Sequence, residues 1–325
     1  MVLELVIIAL VAIVYFRYTD SSLNLFVWSK LGRQREEIYY HDKVVWLVGG
    51  SSGIGEELAL RIAKTSAFLI LSARRAGHLE AVARKCIEAN PDCRVKTLPV
   101  DISDLAQLKQ RVRDANALWG RKISIVILNA GRSQRAEWTD VDPNVDLECF
   151  TLNALAPTQL TRLLLKEQNL HPTSDTVGDL QIVVISSVAG QLPAVLSPSY
   201  AAAKSALNAY FRLLAAEMGE KGVKVSIVSP SLVFAPNNPL SAFTDKEGKS
   251  NNEVIEKPTQ RHMMPDRAAE LISLAAMYQI HECIISGTAT VLLLSYAYRI
   301  TPGIVTRIIN RIGAAKLRKI RTGTD

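Results

Sequence analysis

KVVWLVGGSSGIGEELALRIAK, residues 43–64, is the stretch whose reading decides the fold. After Lys43 the run VVWLV has no polar interruption, the pattern of a strand covered on both faces. Glycines at 49, 53 and 55 follow, and then helix formers from Glu56 to Lys64. Strand, glycine turn and helix make a βα unit. Its bare backbone turns tightly and can approach a pyrophosphate, whose charge then sits at the helix N-terminus. The spacing is G-x3-G-x-G rather than G-x-G-x-x-G.

The same beat continues along the chain. Ala67-FLILSA, Arg94-VKTLPV, Lys122-ISIVIL, Gln181-IVVIS and Val223-KVSIVSP read as strands, separated by helical runs and without internal repeats. That alternation predicts an α/β fold, a single doubly wound Rossmann-like domain with a mainly parallel sheet. The second strand ends in Arg74-Arg75, some 20 residues past the glycines, where an NAD site would carry an acid for the ribose 2′-hydroxyl. Arginine pairs instead with a 2′-phosphate, so the expected cofactor is NADP(H). The plainer alternative is two solvated surface arginines.

A second informative stretch is SSVAGQLPAVLSPSYAAAKSA, residues 186–206. Tyr200 and Lys204 lie four apart in an alanine-rich run, which puts both on one helix face. A phenol beside a fixed ammonium is a tuned acid, because the positive charge favours the phenolate. Ser187 ends a β-branched run, as a residue exposed at the carboxyl end of a strand would. A buried tyrosine and a solvated lysine on an ordinary helix form the competing reading.

Ser-x12-Tyr-x3-Lys, the glycine turn and Asn129-Ala130-Gly131 together resemble the short-chain dehydrogenase/reductase family over roughly residues 42–295. The resemblance implies a catalytic set of Asn153, Ser187, Tyr200 and Lys204, with Ser187 also touching substrate. It implies that Gly49, Ser51, Ser52, Gly53, Ile54, Gly55, Asp101, Ile102, Asn129, Ala130, Gly131, Pro230 and Val233 contact the cofactor, with Arg74, Arg75, Tyr200 and Lys204. Asn153 lies on a helical stretch with Pro157 four residues on, which disturbs local helix bonding. Three positions depart from the family pattern. Val48 stands where a threonine is usual, Ser231 where a glycine is, and Ala235 where a threonine touches the carboxamide.

Composition bounds the remaining possibilities. The 325 residues are 48% hydrophobic and 21% charged, an ordered globular chain with a net charge of +7. From Arg299 onward the chain carries +6 and the rest only +1. A nucleic-acid binder would spread basic residues over a face of the fold, so nucleic acid is excluded and a membrane surface favoured. Cys86, Cys93, Cys149 and Cys283 form no C-x-x-C pair, and no metal site is expected.

Val2–Phe16 is apolar apart from Glu4, short of the ~20 residues that a comfortable span needs. Residues 1–18 are read as an uncleaved membrane anchor, residues 19–41 as an amphipathic juxtamembrane linker with Leu23, Phe26, Val27 and Leu31 on one face. The dinucleotide-binding domain follows over 42–298, with a substrate lid over 234–265, and 299–325 forms a basic amphipathic tail. The apolar N-terminus, GEELA after the glycines, LSARR after the second strand and the basic ending resemble membrane-associated reductases of the endoplasmic reticulum. That resemblance implies lipophilic ketone, aldehyde or alcohol substrates of steroid, retinoid or xenobiotic type, with a second copy of the chain as a candidate partner. Rival functions are a non-catalytic NADP(H)-binding membrane scaffold and a sugar-nucleotide epimerase, whose longer glycine pattern is absent.

Overall fold

The computed structural model describes residues 15–16, 19–234, 242–243, 250–251 and 262–313. In chain order these form α1 (Leu23–Leu31), α2 (Glu36–Tyr39), β1 (Val44–Val48), α3 (Gly53–Ala63) and β2 (Phe68–Ser72). Next come α4 (Ala76–Ala89), β3 (Arg94–Thr97), α5 (Leu108–Ala117), β4 (Ile125–Leu128), α6 (Pro143–Phe150), a π turn (Thr151–Leu155) and α7 (Ala156–Glu167). The chain continues through β5 (Leu180–Ile185), α8 (Pro198–Met218), β6 (Val223–Pro230), a small pair β7 (Ala242–Phe243) and β8 (Ser250–Asn251), and α9 (Pro265–Met277). It closes with β9 (Glu282–Ile285), α10 (Ala289–Ile300) and α11 (Pro302–Ile312).

Seven strands form one parallel sheet in the order β3-β2-β1-β4-β5-β6-β9. The chain runs outward from β1 through β2 to β3, then returns to β4 and winds the other way. The crevice between β1 and β4, at their carboxyl ends, is the switch point where such sheets bind ligands. Alternation along β1 serves both faces. Val45 and Leu47 enter a core with α3, α4 and α9, while Val44, Trp46 and Val48 enter another with α5, α7 and α8. Trp46 satisfies its indole N–H on Ser72 Oγ at 2.9 Å, so the run stays apolar without an orphaned donor.

Residues 19–41, expected as a linker, are part of this architecture. Leu25, Tyr39 and Tyr40 are buried in the α3/α9 core. Tyr39 donates to Gln181, and Tyr40 Oη lies 3.1 Å from Ser273 Oγ. Ser21 bridges to Ile285 of β9, and Asp20 pairs with Arg267 at 2.7 Å. Of the apolar face read from the sequence, Leu23, Val27 and Leu31 are exposed and Phe26 is half-buried against Tyr15, while Leu25 points into the core.

Among the described residues no helix is long and apolar enough to cross a membrane. The expected anchor lies outside them except for Tyr15 and Phe16. Tyr15 packs edge-on against Phe26 and Phe16 against Tyr296, and Leu23 N–H donates to Tyr296 Oη at 2.8 Å. α10 crosses the expected 298/299 boundary, and Arg299 pairs with Glu282 at 2.5 Å, so its charge is engaged within the fold. On α11, Val305 is buried while Ile304, Ile308 and Ile312 are exposed.

Candidate active site

The glycine turn is built by close approach of two strand ends. Val48 is in register with Leu128, so the turn after β1 lies directly on Asn129–Gly131 after β4. Gly49 has φ of +95°, and a Cβ there would sit 2.5 Å from the Ala130 nitrogen. A Cβ on Gly55 would sit 1.9 Å from the Gly49 oxygen. Asn129 Nδ2 donates to that same oxygen at 2.8 Å, which ties the two turns together. Only bare backbone fits here.

This turn walls a cleft of about 400 Å³. Gly49, Ser51, Ser52, Gly53 and Ile54 form one side, with the N-terminus of α3 directed into it. Arg74 and Arg75 line it after β2, Asp101 and Ile102 after β3, Asn129, Ala130 and Gly131 after β4, and Val233 after β6. The Asp101 carboxylate accepts from Ser103 N–H at 3.0 Å and Ser103 Oγ at 2.6 Å, which fixes the turn after β3. A bare turn at a helix N-terminus, with guanidinium groups in the same cleft, fits a phosphorylated dinucleotide. Gly55 stands behind the turn rather than on the cleft surface.

Beside this cleft is a smaller cavity of about 180 Å³, lined by Ser187, Tyr200, Lys204 and Pro230 together with Asn129, Gly131 and Val233. Pro198 at the first turn of α8 and the alanines after Tyr200 start a regular helix, which presents Tyr200 and Lys204 together. α8 lies so close to the 3₁₀ turn Val188–Gly190 that a Cβ on Gly190 would meet the Lys204 backbone at 2.8 Å. Ser187 Oγ accepts from Ala189 N–H at 3.2 Å, which orients the hydroxyl. Lys204 is buried, donates to the Ile185 carbonyl at 2.9 Å and lies 5.8 Å from the Tyr200 ring centre. Burial lowers its pKa to about 8.

Asn153 sits in the π turn, where the helix bonding is disturbed ahead of Pro157. Its amide is buried and clamped. Nδ2 donates to Arg132 O at 3.0 Å and Cys149 O at 2.9 Å, and Oδ1 accepts from Arg132 N–H at 3.1 Å. A Cβ on Gly131 would meet Asn153 Oδ1 at 2.8 Å and Lys204 Nζ at 3.5 Å, so both side chains converge on that glycine. Ser187 after β5 and Tyr200 and Lys204 on α8 thus line the cavity, while Asn153 of the π turn stands behind its Gly131 wall.

Sequence reasoning passed over several lining residues, Arg132 and Ser186 among them. Arg132 lines both cavities and is held through its backbone by Asn153. Its only sequence signal is its place after Asn129–Gly131. Ser186 lines the catalytic cavity beside Ser187, although strand alternation would aim adjacent side chains apart. The expected lid over 234–265 lies largely outside the described residues. Its two ends are joined, because Phe234 N–H donates to Met263 O and Met263 N–H to Leu232 O, both at 2.9 Å. Pro265 already belongs to α9.

A doubly wound sheet with a glycine cleft and a Ser-Tyr-Lys cavity at its switch point defines an oxidoreductase of the short-chain type. The short chain dehydrogenase family model matches residues 43–241, and the chain belongs to that family. It is 32% identical to dehydrogenase/reductase SDR family member 7 of Mus musculus over 98% of this chain and 92% of that one. The Homo sapiens protein of the same name is 31% identical over 100% and 93%. In fold it is similar to an alcohol dehydrogenase of the archaeon Thermococcus sibiricus complexed with 5-hydroxy-NADP. That likeness has a TM-score of 0.62 at 19% identity, over 77% of this chain and 98% of that chain.

Proposed function

We propose that this protein is a membrane-associated, NADPH-dependent carbonyl reductase, reversible as an alcohol dehydrogenase, acting on lipophilic ketones or aldehydes of steroid, retinoid or xenobiotic type. The observation that carries this reading is the shared wall of the two cavities. Asn129, Gly131 and Arg132 border both, so a dinucleotide held in the glycine cleft would reach toward the space that Ser187 and Tyr200 line. Arg74 and Arg75 in the cleft favour a 2′-phosphate, hence NADPH.

When bound, the reduced nicotinamide supplies the hydride. The protein handles the oxygen. Ser187 Oγ already accepts from Ala189 N–H, so its own hydroxyl hydrogen can be given to the carbonyl oxygen as negative charge builds there. Tyr200 delivers a proton to that oxygen and, in the reverse direction, takes it back. Lys204 spends one N–H on Ile185 O and has others for ribose hydroxyls, and its charge favours the phenolate of Tyr200. Asn153 holds the Arg132 backbone in place between the two cavities and supports the proton route from Lys204.

The membrane reading rests on two neighbouring devices. The apolar segment 1–18 leads into α1, whose start is tied to Tyr296 of α10, and α11 follows α10 with Ile304 and Ile308 exposed beside Arg307 and Arg311. Exposed isoleucines flanked by arginines suit the interface of an anionic leaflet, here that of the endoplasmic reticulum. The test is purified protein with NADPH or NADH and a panel of steroid, retinoid and aromatic carbonyls, followed by the absorbance of reduced cofactor. Consumption of NADPH with at least one lipophilic carbonyl is expected. Cofactor binding with no turnover on any carbonyl or alcohol leaves the scaffold reading instead.

A further inference from the structure

Two hydroxyls in the catalytic cavity are not used by the chemistry described so far. Ser186 Oγ and Ser231 Oγ both line that cavity, and neither has a hydrogen-bond partner within the protein. Ser186 is only 4% exposed. The two residues follow neighbouring parallel strands, β5 and β6, in which Ile185 is in register with Val228 and β6 runs on to Pro230. Each backbone is fixed: Ser186 N–H donates to Val228 O and Ser231 N–H to Ile285 O, both at 2.8 Å. The side chains are thus held at a rigid sheet edge, and burying a hydroxyl there without a partner costs free energy.

Resting on the proposed nicotinamide-dependent reading, we infer that Ser186 and Ser231 form the seat of the cofactor's carboxamide. The carboxamide is carried on the ring carbon adjacent to the one that gives up hydride. A cavity in which Ser187 and Tyr200 hold the substrate oxygen against that carbon must contain the carboxamide within a few ångströms. The group offers one oxygen acceptor and two N–H donors, and a hydroxyl can serve either. The reacting oxygen of a lipophilic carbonyl is already shared by Ser187 and Tyr200, which leaves such a substrate little to offer two further hydroxyls. Ser231 is then a positioning residue that sets the ring face.

The test is calorimetric titration of wild type, Ser231→Gly and Ser186→Ala with NADPH and with 2′-phospho-ADP-ribose, which lacks the nicotinamide. Each variant is expected to weaken NADPH about 2- to 10-fold, the range for one neutral hydrogen bond, and to leave the fragment unchanged. Thermal melting supplies a second readout. Without ligand Ser186→Ala melts no lower than wild type, since an unpartnered hydroxyl has been removed, and the stabilisation by NADPH is smaller in both variants. Equal weakening of both ligands, no change in either variant, or an effect confined to KM for the carbonyl overturns the assignment. Wild type that binds the fragment but not NADPH also overturns it. Wild type that binds neither ligand removes the cofactor reading itself, and this inference with it.

Discussion

In the proposed mechanism Tyr200 and Lys204 divide the acid chemistry between them, and each can be tested alone. Tyr200→Phe keeps the ring in its place and removes only the proton donor. Turnover should fall by ~10²–10⁴-fold while the NADPH dissociation constant stays within about threefold. A mutant that keeps more than about a tenth of kcat, with chemistry limiting, would exclude Tyr200 as the acid. Lys204 predicts a pH effect. Burial lowers its pKa to about 8, and the facing Cys149 thiol, pushed up to about 11 by its own burial, is neutral there. kcat/KM for NADPH should therefore decline above pH 8 as the free enzyme loses this charge. The stability sign is the opposite. Between about 8 and the ordinary 10.5 the unfolded chain holds more protons, so Tm should rise with pH across that window. Arg74→Glu replaces attraction to a 2′-phosphate by repulsion. NADPH binding should weaken about 10- to 100-fold and NADH binding much less. Equal losses in a titration would make Arg74 structural.

At the scale of elements, the β1–α3 turn and the π turn place the chemistry. Gly49→Ala adds a Cβ against the Ala130 nitrogen at a φ that alanine rarely adopts. We expect a loss of about 1–3 kcal/mol in urea unfolding and NADPH binding weakened by at least about tenfold. Gly77 in α4 is the control, because a Cβ there meets nothing within 4 Å. Gly77→Ala should stabilise by about 0.5–1 kcal/mol and leave cofactor binding alone. If the two alanines behave alike, the close approach of the two strand ends is not what requires glycine at 49. The elements around the turn were legible because buried parallel strands and glycine turns leave local signatures. The inward face of α1 was not. In nine residues with apolar side chains on several sides, the neighbour decides which one is covered, and β9 and α9 select Leu25.

For the whole molecule, residues 19–41 belong to the folded domain, which the linker reading began only at residue 42. Deleting residues 1–18 spares Asp20 on Arg267, Ser21 on Ile285 and all of α1. That protein should remain folded and active, and sediment partly with anionic vesicles at low salt through α11 and the tail, with salt releasing it. Full solubility at low ionic strength would leave the N-terminal segment as the sole attachment. Deleting residues 1–31 removes the buried Leu25 as well, and should cost about 2–5 kcal/mol, read as a lowered unfolding midpoint.

Sequence alone determined the doubly wound α/β class, the glycine turn and the placing of Tyr200 and Lys204 on one helix face, because each rests on short spacings that local geometry enforces; Asn153 and Ser187 were named only through a family resemblance. Tertiary structure alone decided what depends on distant segments meeting. The parallel sheet brings Ser186 and Ser231 to one edge, the π turn hands Asn153 to Arg132, and β9 with α10 receives Ser21 and Leu23 from the other end of the chain. Such pairings are settled by packing and by backbone bonds between strands far apart in the chain, and no local pattern records them.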